Sequence, residues 1–284
     1  MTTMTVTSRA TALGRQVLQA LLDEVTLTPK PGLVDLRSRG AHLDLNWALM
    51  CHSACVLQPV FAAMAEAGER MDDDDLLRQR IGALGRDGES VMMAATGGVN
   101  THRGAIWALG LLVTAAAQQD ARGGSLAPDA VAARAGALAR LADHGAPQET
   151  GNKGELACRQ YHVGGARGQA RAGFPHVTQI GLPALRASRA RGDGETTARL
   201  NSLLAIIAQL DDTCVLSRGG VAALTALQAG AARVLAAGGA GTQALLALEA
   251  EVLALNVSPG GAADLLAATL FLDRLEKGEL HGKA

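Results

Sequence analysis

Apolar residues recur at helical spacing along most of the chain. Leu13, Val17, Leu21 and Val25 repeat every fourth position and predict a helix over about residues 8–27. Thr28-Pro29-Lys30-Pro31-Gly32 stops it, because two prolines remove donors and push their predecessors toward extended backbone. Asp44 is placed to cap a second helix carrying Trp47, Cys51, Cys55 and Leu57, with Pro59 as its kink or end. The run Asp72 to Asp75 opens a third helix toward Ala95, its charge suiting the helix dipole. After a break at Thr96 to His102 comes an apolar helix with Ile106, Leu109, Gly110 and Val113 on one side. Pro128 suits the first turn of another. Residues 144–165 form a long polar, glycine-rich stretch expected to lack regular structure. Leu200, Leu203, Leu204, Ile207 and Leu210 restart the helical period, followed by helices near 219–236, 242–255 and 262–276. Strand-length alternation is scarce. The pattern predicts one all-α, multi-helix domain over 1–284, with flexible tails at 1–8 and 277–284.

Composition narrows the function. Lys and Arg number 26 against 27 acids, a net charge of -1, so there is no basic field for nucleic acid or an anionic membrane. Two Trp, one Tyr and three Phe leave little stacking surface for single strands. The longest apolar stretch, Gly104 to Ala117, is too short to span a bilayer, and the N-terminus lacks the order of a signal peptide. Cys51, Cys55, Cys158 and Cys214 form no CxxC pair, which suits a reduced, cytoplasmic setting. Cys51 and Cys55 read as buried core cysteines, because no second cluster completes a zinc site. An Ala-rich helical chain makes a homodimer plausible.

Five polar breaks carry the candidate chemistry. Glu24 to Asp35 holds Lys30 and two acids between rigid prolines. Thr96-Gly97-Gly98-Val99-Asn100-Thr101-His102-Arg103-Gly104 sets two glycines and several donors just before a helix, and a helix N-terminus suits phosphate. It is not a Walker A loop. Gly164 to Pro175 places Arg167 and Arg171 four apart, on one helical face if it is helical. Asp211-Asp212-Thr213 with Ser217-Arg218-Gly219-Gly220 joins acids to an arginine, a set that suits Mg²⁺ and polyphosphate. Asn256-Val257-Ser258-Pro259-Gly260-Gly261-Ala262-Ala263-Asp264 looks like a helix start, with Asp264 able to face back to the loop. Each also has a plain reading as a turn, cap or solvated face.

Taken in order, these stretches resemble the triphosphoribosyl-dephospho-CoA synthase family over about residues 13–275. The resemblance implies an all-helical fold and transfer of the 5-triphosphoribosyl group of ATP to 3′-dephospho-CoA, with release of adenine. It implies Mg²⁺ and a product passed to a carrier-protein holo-synthase, for malonate decarboxylase or for citrate lyase. Thr96 to Gly104 looks nearer the malonate branch. Arg103 stands where other members can carry lysine, and Gln169 where some carry glutamate. On this reading Lys30, Arg103, Arg167 and Arg218 clamp the triphosphate, with Gly97, Gly98, Asn100, Thr101, Ser258 and Gly260 beside it. Asp212 and Asp264 are the Mg²⁺ candidates, Asp212 counting among the catalytic groups as well. Glu24 or Asp35 is the general base, and His102 orients or protonates adenine. A Mg²⁺-dependent helical hydrolase of a nucleotide or ADP-ribose uses the same residue types. A non-catalytic scaffold leaves the five breaks unexplained.

Overall fold

A computed structural model describes residues 8–147 and 149–278. Among them there are helices and no strands, as the hydrophobic period requires. α1 (Arg9–Thr26) lies along α2 (Trp47–Arg70), which packs in turn on α3 (Asp74–Ala95) and α4 (Arg103–Ala121). α4 is apolar on all sides and buried on nearly all of them. It is the central strut of the fold. α5 (Pro128–Arg140) and α7 (Gly165–Arg171) pack on it, and α6 (Lys153–Tyr161), between them in sequence, packs on α7 and on the later helix that begins at Thr213. A π-helical turn, His176–Gly181, leads into α8 (Leu182–Ala190) and α9 (Glu195–Ile207). α10 (Thr213–Ala236) and α11 (Gln243–Ala254) precede α12 (Gly260–Glu276), which packs on α1, α4, α9 and the π-helical turn. One apolar core joins nearly all these elements in a single compact domain.

Several local expectations are corrected. Asn46, not Asp44, caps α2, its side chain accepting from the backbone N–H of Leu49. Pro59 neither ends nor breaks that helix, which runs on to Arg70. The ring lies on the exposed face, and the carbonyl it leaves without an N–H, that of Cys55, is on an exposed residue where water can serve it. Cys55 is exposed and Cys51 only half-buried, so neither is a core cysteine.

The polar stretch 144–165 contains α6. Asn152 accepts from Glu155 N–H at 2.9 Å, while the Glu155 carboxylate accepts from Thr150 N–H at 2.8 Å. Only Ala157 of α6 is buried, so no apolar stripe marks it. Ser217, Arg218 and Gly219 lie inside α10 rather than in a break, and the irregularity is at Gly220 (φ 64°). The expected tails lie outside the described residues, except at their inner ends. There Ser8 caps α1 and Lys277 bonds Asp273 at 2.8 Å.

α2 and α10 are long and apolar enough to cross a membrane by length and composition, although no uninterrupted apolar run of that length exists. Both pack against several neighbouring helices.

Candidate active site

The five polar breaks meet where the N-terminal ends of α4, α10 and α12 come together. The hub is Asp264. Its carboxylate accepts from the backbone N–H of Ala105, in the first turn of α4. Only glycine fits at Gly104: an added Cβ would lie 2.0 Å from Asp264 Oδ2. Asp212 is the N-cap of α10, its Oδ1 accepting from Cys214 N–H at 2.8 Å. Its Oδ2 accepts from Ala262 N–H in the first turn of α12 at 2.9 Å. One buried carboxylate thus ties two helix starts together.

The segment after α1 folds around Asp35. Oδ2 accepts from Thr28 Oγ1 (2.7 Å) and Lys30 N–H (3.1 Å), and Oδ1 from the N–H groups of Arg37 and Ser38 (both 2.8 Å). Both oxygens are therefore committed to shaping the loop. That shape drives the Lys30 side chain inward, where it is 2 % exposed. Its ammonium donates to the Glu24 carbonyl at 2.7 Å and pairs with the Glu24 carboxylate. Gly32 (φ 71°) brings the loop against residue Val257, and a Cβ there would lie 2.4 Å from the Val257 carbonyl.

Further along, Arg218 donates to Ala41 C=O at 2.9 Å and to His42 Nδ1 at 3.2 Å. An accepting Nδ1 leaves Nε2–H to donate to Ser258 Oγ, 2.9 Å away. Burial, then Arg218, hold the His42 pKa below its ordinary value, which keeps that neutral tautomer. Ser258 serves this chain rather than capping α12, whose N-cap is Pro259.

Gly97 (φ 64°) and Gly98 (φ 88°) terminate α3, with Gly98 N–H donating to Met93 C=O at 2.8 Å. Both face open space. Asn100 Oδ1 accepts from Arg103 N–H (3.2 Å), and Arg103 Nε donates to Glu89 (3.0 Å). Thr101 Oγ1 lies 2.6 Å from Ser53 Oγ, which in turn lies 2.9 Å from His102 Nδ1. His102 is 3 % exposed, and its Nε2 has no partner among the described residues. Burial, then the nearby Lys30, push its pKa down to about 4.

The 164–175 break joins from the far side of α4. Trp107 Nε1 donates to Ala166 C=O at 3.2 Å, and Gly165 packs on Cys158 and Thr213. Arg167 is exposed. Gly260 lies against Cys214, a Cβ there falling 3.1 Å from the sulfur.

The electrostatics single out Asp264. Burial, then Glu24 and Asp212, raise its pKa well above the ordinary aspartate value, although part of its surface stays open. Burial also raises Glu24 against the pull of Lys30, and raises Asp212 against its backbone donors. Two acids from separate elements thus act on Asp264, with Lys30 the cation paired to one of them. Among the described residues no three His, Cys, Asp or Glu side chains form a ready-made metal centre. The surplus of desolvated negative charge fits a divalent cation that takes one or two carboxylates and draws its other ligands from phosphate and water.

Lys30, Glu24, His102, Asp212 and Asp264 thus come together, with Arg218 and Ser258 joined beside them through His42. Asp35 is close in sequence but turned to its own loop. Sequence reasoning missed Ser53 and His42. Ser53 sits in Cys51-His52-Ser53-Ala54-Cys55, where the cysteines drew attention; a small polar residue on a buried helical face was the available signal.

The family model for ATP:dephospho-CoA triphosphoribosyl transferase (CitG) matches residues 10–282. A 2-(5''-triphosphoribosyl)-3'-dephosphocoenzyme-A synthase of Klebsiella pneumoniae is 57% identical over 272 residues, covering 94% of this chain and 96% of that protein. A probable synthase of the same name from Azotobacter vinelandii is 58% identical over 262 residues, 90% of this chain and 89% of that one. Another, from Stutzerimonas stutzeri, is 55% identical over 273 residues, with 94% and 93% covered. No solved structure matches.

Proposed function

This chain belongs to the ATP:dephospho-CoA triphosphoribosyl transferase family, and we propose that it carries out the transfer at the carboxylate cluster around Asp264. The C1′–adenine bond of ATP breaks and a bond from C1′ to a ribose hydroxyl of 3′-dephospho-CoA forms. The hydroxyl proton is lost and adenine gains one. The observation that carries this reading is the convergence of Glu24, Asp212 and Asp264, acids whose pKa values are all raised, beside the N-terminus of α4. A glycosyl centre gains positive character as adenine leaves, and desolvated carboxylates stabilise it.

Glu24 is the general base in preference to Asp35, because all four donors on Asp35 hold its loop. Lys30, buried against Glu24, sets the charge of that base rather than meeting the phosphates. His102 is neutral near pH 7, so it orients adenine through Nε2 and is not an imidazolium donor. Arg103, Arg167, Asn100, Thr101 and the Gly97–Gly98 backbone bind the triphosphate, helped by the α12 start at Gly260. Arg218 and Ser258 position that start through His42. Asp264 and Asp212 would hold Mg²⁺, which when bound offsets the triphosphate charge. The similarity of Thr96 to Gly104 to the malonate decarboxylase branch favours that enzyme's carrier protein as the destination, reached in the cytoplasm through a holo-synthase.

The test is chromatographic. Protein is incubated with ATP, Mg²⁺ and dephospho-CoA, and adenine is followed. Adenine forms only with all three present. Adenine formed without dephospho-CoA would overturn transfer in favour of hydrolysis.

A further inference from the structure

Beyond the carboxylate cluster lies a second group of charges, of which the proposed triphosphate clamp draws on Arg167 alone. Arg78 and Arg86 stand on one face of α3, two turns apart, with Gly82 between them. Gly82 lets Asp143 approach the helix: a Cβ there would lie 2.1 Å from Asp143 Oδ2. That carboxylate pairs with Arg86 at 2.7 Å and with Arg78 at 3.5 Å. The Arg78 guanidinium lies over the Trp107 ring, 5.4 Å from its centroid. Trp107 N–H is held by the carbonyl of Ala166, the residue before Arg167.

The charged groups acting on Arg78 are Asp143, in attraction, and Arg86, Arg167 and Arg171, in repulsion. One carboxylate, Asp143, pairs with two of these four guanidinium groups. Arg167 and Arg171 have no acid partner among the described residues. Arg78 is 5 % exposed, and its Nε is buried without a hydrogen-bond partner. A buried donor left unmet and repulsion left uncompensated are both costly, and a bound polyanion relieves both. Guanidinium forks match phosphate oxygens in pairs.

We propose that Arg78, Arg86, Arg167 and Arg171, with Trp107 as floor, form a binding site for a diphosphate group. Two helices each offer two guanidinium groups, which suits linked phosphates rather than one. Trp107 lies one turn along α4 from Gly104, which abuts Asp264. A diphosphate held there leaves the rest of its molecule beside the carboxylates. Both ATP and dephospho-CoA carry such a linkage, so which one fills the site rests on the transferase reading, whereas the site itself does not.

The test titrates full-length protein with inorganic pyrophosphate, following Trp107 fluorescence in a Trp47→Phe background. Saturable binding is expected, weakened about tenfold by Arg171→Gln and by Arg78→Lys, one charge-assisted hydrogen bond apiece. Arg171 is exposed, so its variant keeps the wild-type melting temperature. In the complete assay, a raised KM for dephospho-CoA in Arg171→Gln assigns that substrate's diphosphate to the site, and a raised KM for ATP assigns the triphosphate. Pyrophosphate affinity unchanged in Arg171→Gln, or no binding by the parent protein, overturns the site. Pyrophosphate binding with no adenine formed under any condition would fault the transferase reading and leave the site standing.

Discussion

α12 carries an aspartate near each end, and the two behave in opposite ways. A helix dipole favours negative charge at the N-terminus and opposes it at the C-terminus. Asp264, near the N-terminal end, nonetheless has a raised pKa, and Asp273, near the C-terminal end, a lowered one. Partners decide the matter. Burial raises both, but Asp273 accepts from Arg189 at 2.7 and 3.0 Å and from Lys277 at 2.8 Å, which outweighs it. Arg189 also pairs with Glu195, and Glu195 with Arg199, which reaches Asp23. Asp264 has instead Glu24 and Asp212, two further acids. One end of the helix is electrostatically finished. The other is left in debit, the arrangement of a site whose substrate or cation completes it.

The largest effect is expected at the unfinished end. Asp264→Asn should lower adenine formation about a thousandfold, the scale of removing one electrostatic or acid–base group from a reacting centre. Its stability should move the other way. A carboxylate with a raised folded-state pKa contributes stability that is full below its unfolded value and is lost as pH rises through the folded value. The variant escapes that loss, so it should melt above the parent at pH 8, with the gap closing toward pH 4. An active variant, or one equally destabilised at both pH values, breaks the contrast between the two ends.

Much of this was legible in the sequence. Fours and threes of Leu and Val gave the helices, and residues from the polar stretches do lie near one another, although Ser217 to Gly219 are helical and Asp35 holds its own loop. What stayed hidden has physical causes. α6 buries only Ala157, so its capping pair Asn152 and Glu155 was the sole cue. Proline in α2 reads as a stop unless the face it occupies is known. Ser53, His42 and Arg78 carry no local signature, because each acquires its role from a residue distant in the chain. The choice between Glu24 and Asp35 was open because both flank the same prolines; only the four donors around Asp35 separate them.

At the finished end the loss should be in stability alone. Asp273→Asn removes the carboxylate shared by Arg189 and Lys277 and should cost about 3 kcal/mol, lowering the melting temperature by roughly 6 °C. Activity per folded molecule should not change. The pKa of Asp273 is lowered, so its contribution is present above the ordinary aspartate range and lost as pH falls through the folded value. Glu195 is held down to about 2 by Arg189, against burial and with help from Arg199, so the neighbouring pair stays ionised well below neutral pH. Melting curves from pH 7 to pH 2 should therefore converge for variant and parent. A gap that persists at pH 2 would mean that packing, not charge, ties this end together.

The smallest effect tests whether the unfinished end extends to the glycine pair. Gly98 adopts φ 88°, where an L side chain is strained, yet an added Cβ there meets nothing within 4 Å. Gly98→Ala should therefore cost only about 1 kcal/mol, from backbone conformation alone. As a helix terminator and nothing more, the residue would show that modest loss and unchanged kinetics. Lying along the triphosphate, it would also show a KM for ATP raised a few-fold with kcat retained, because the methyl group intrudes on bound substrate and not on the reacting carbon. The second outcome is expected. Melting temperature and steady-state kinetics on one preparation separate the two.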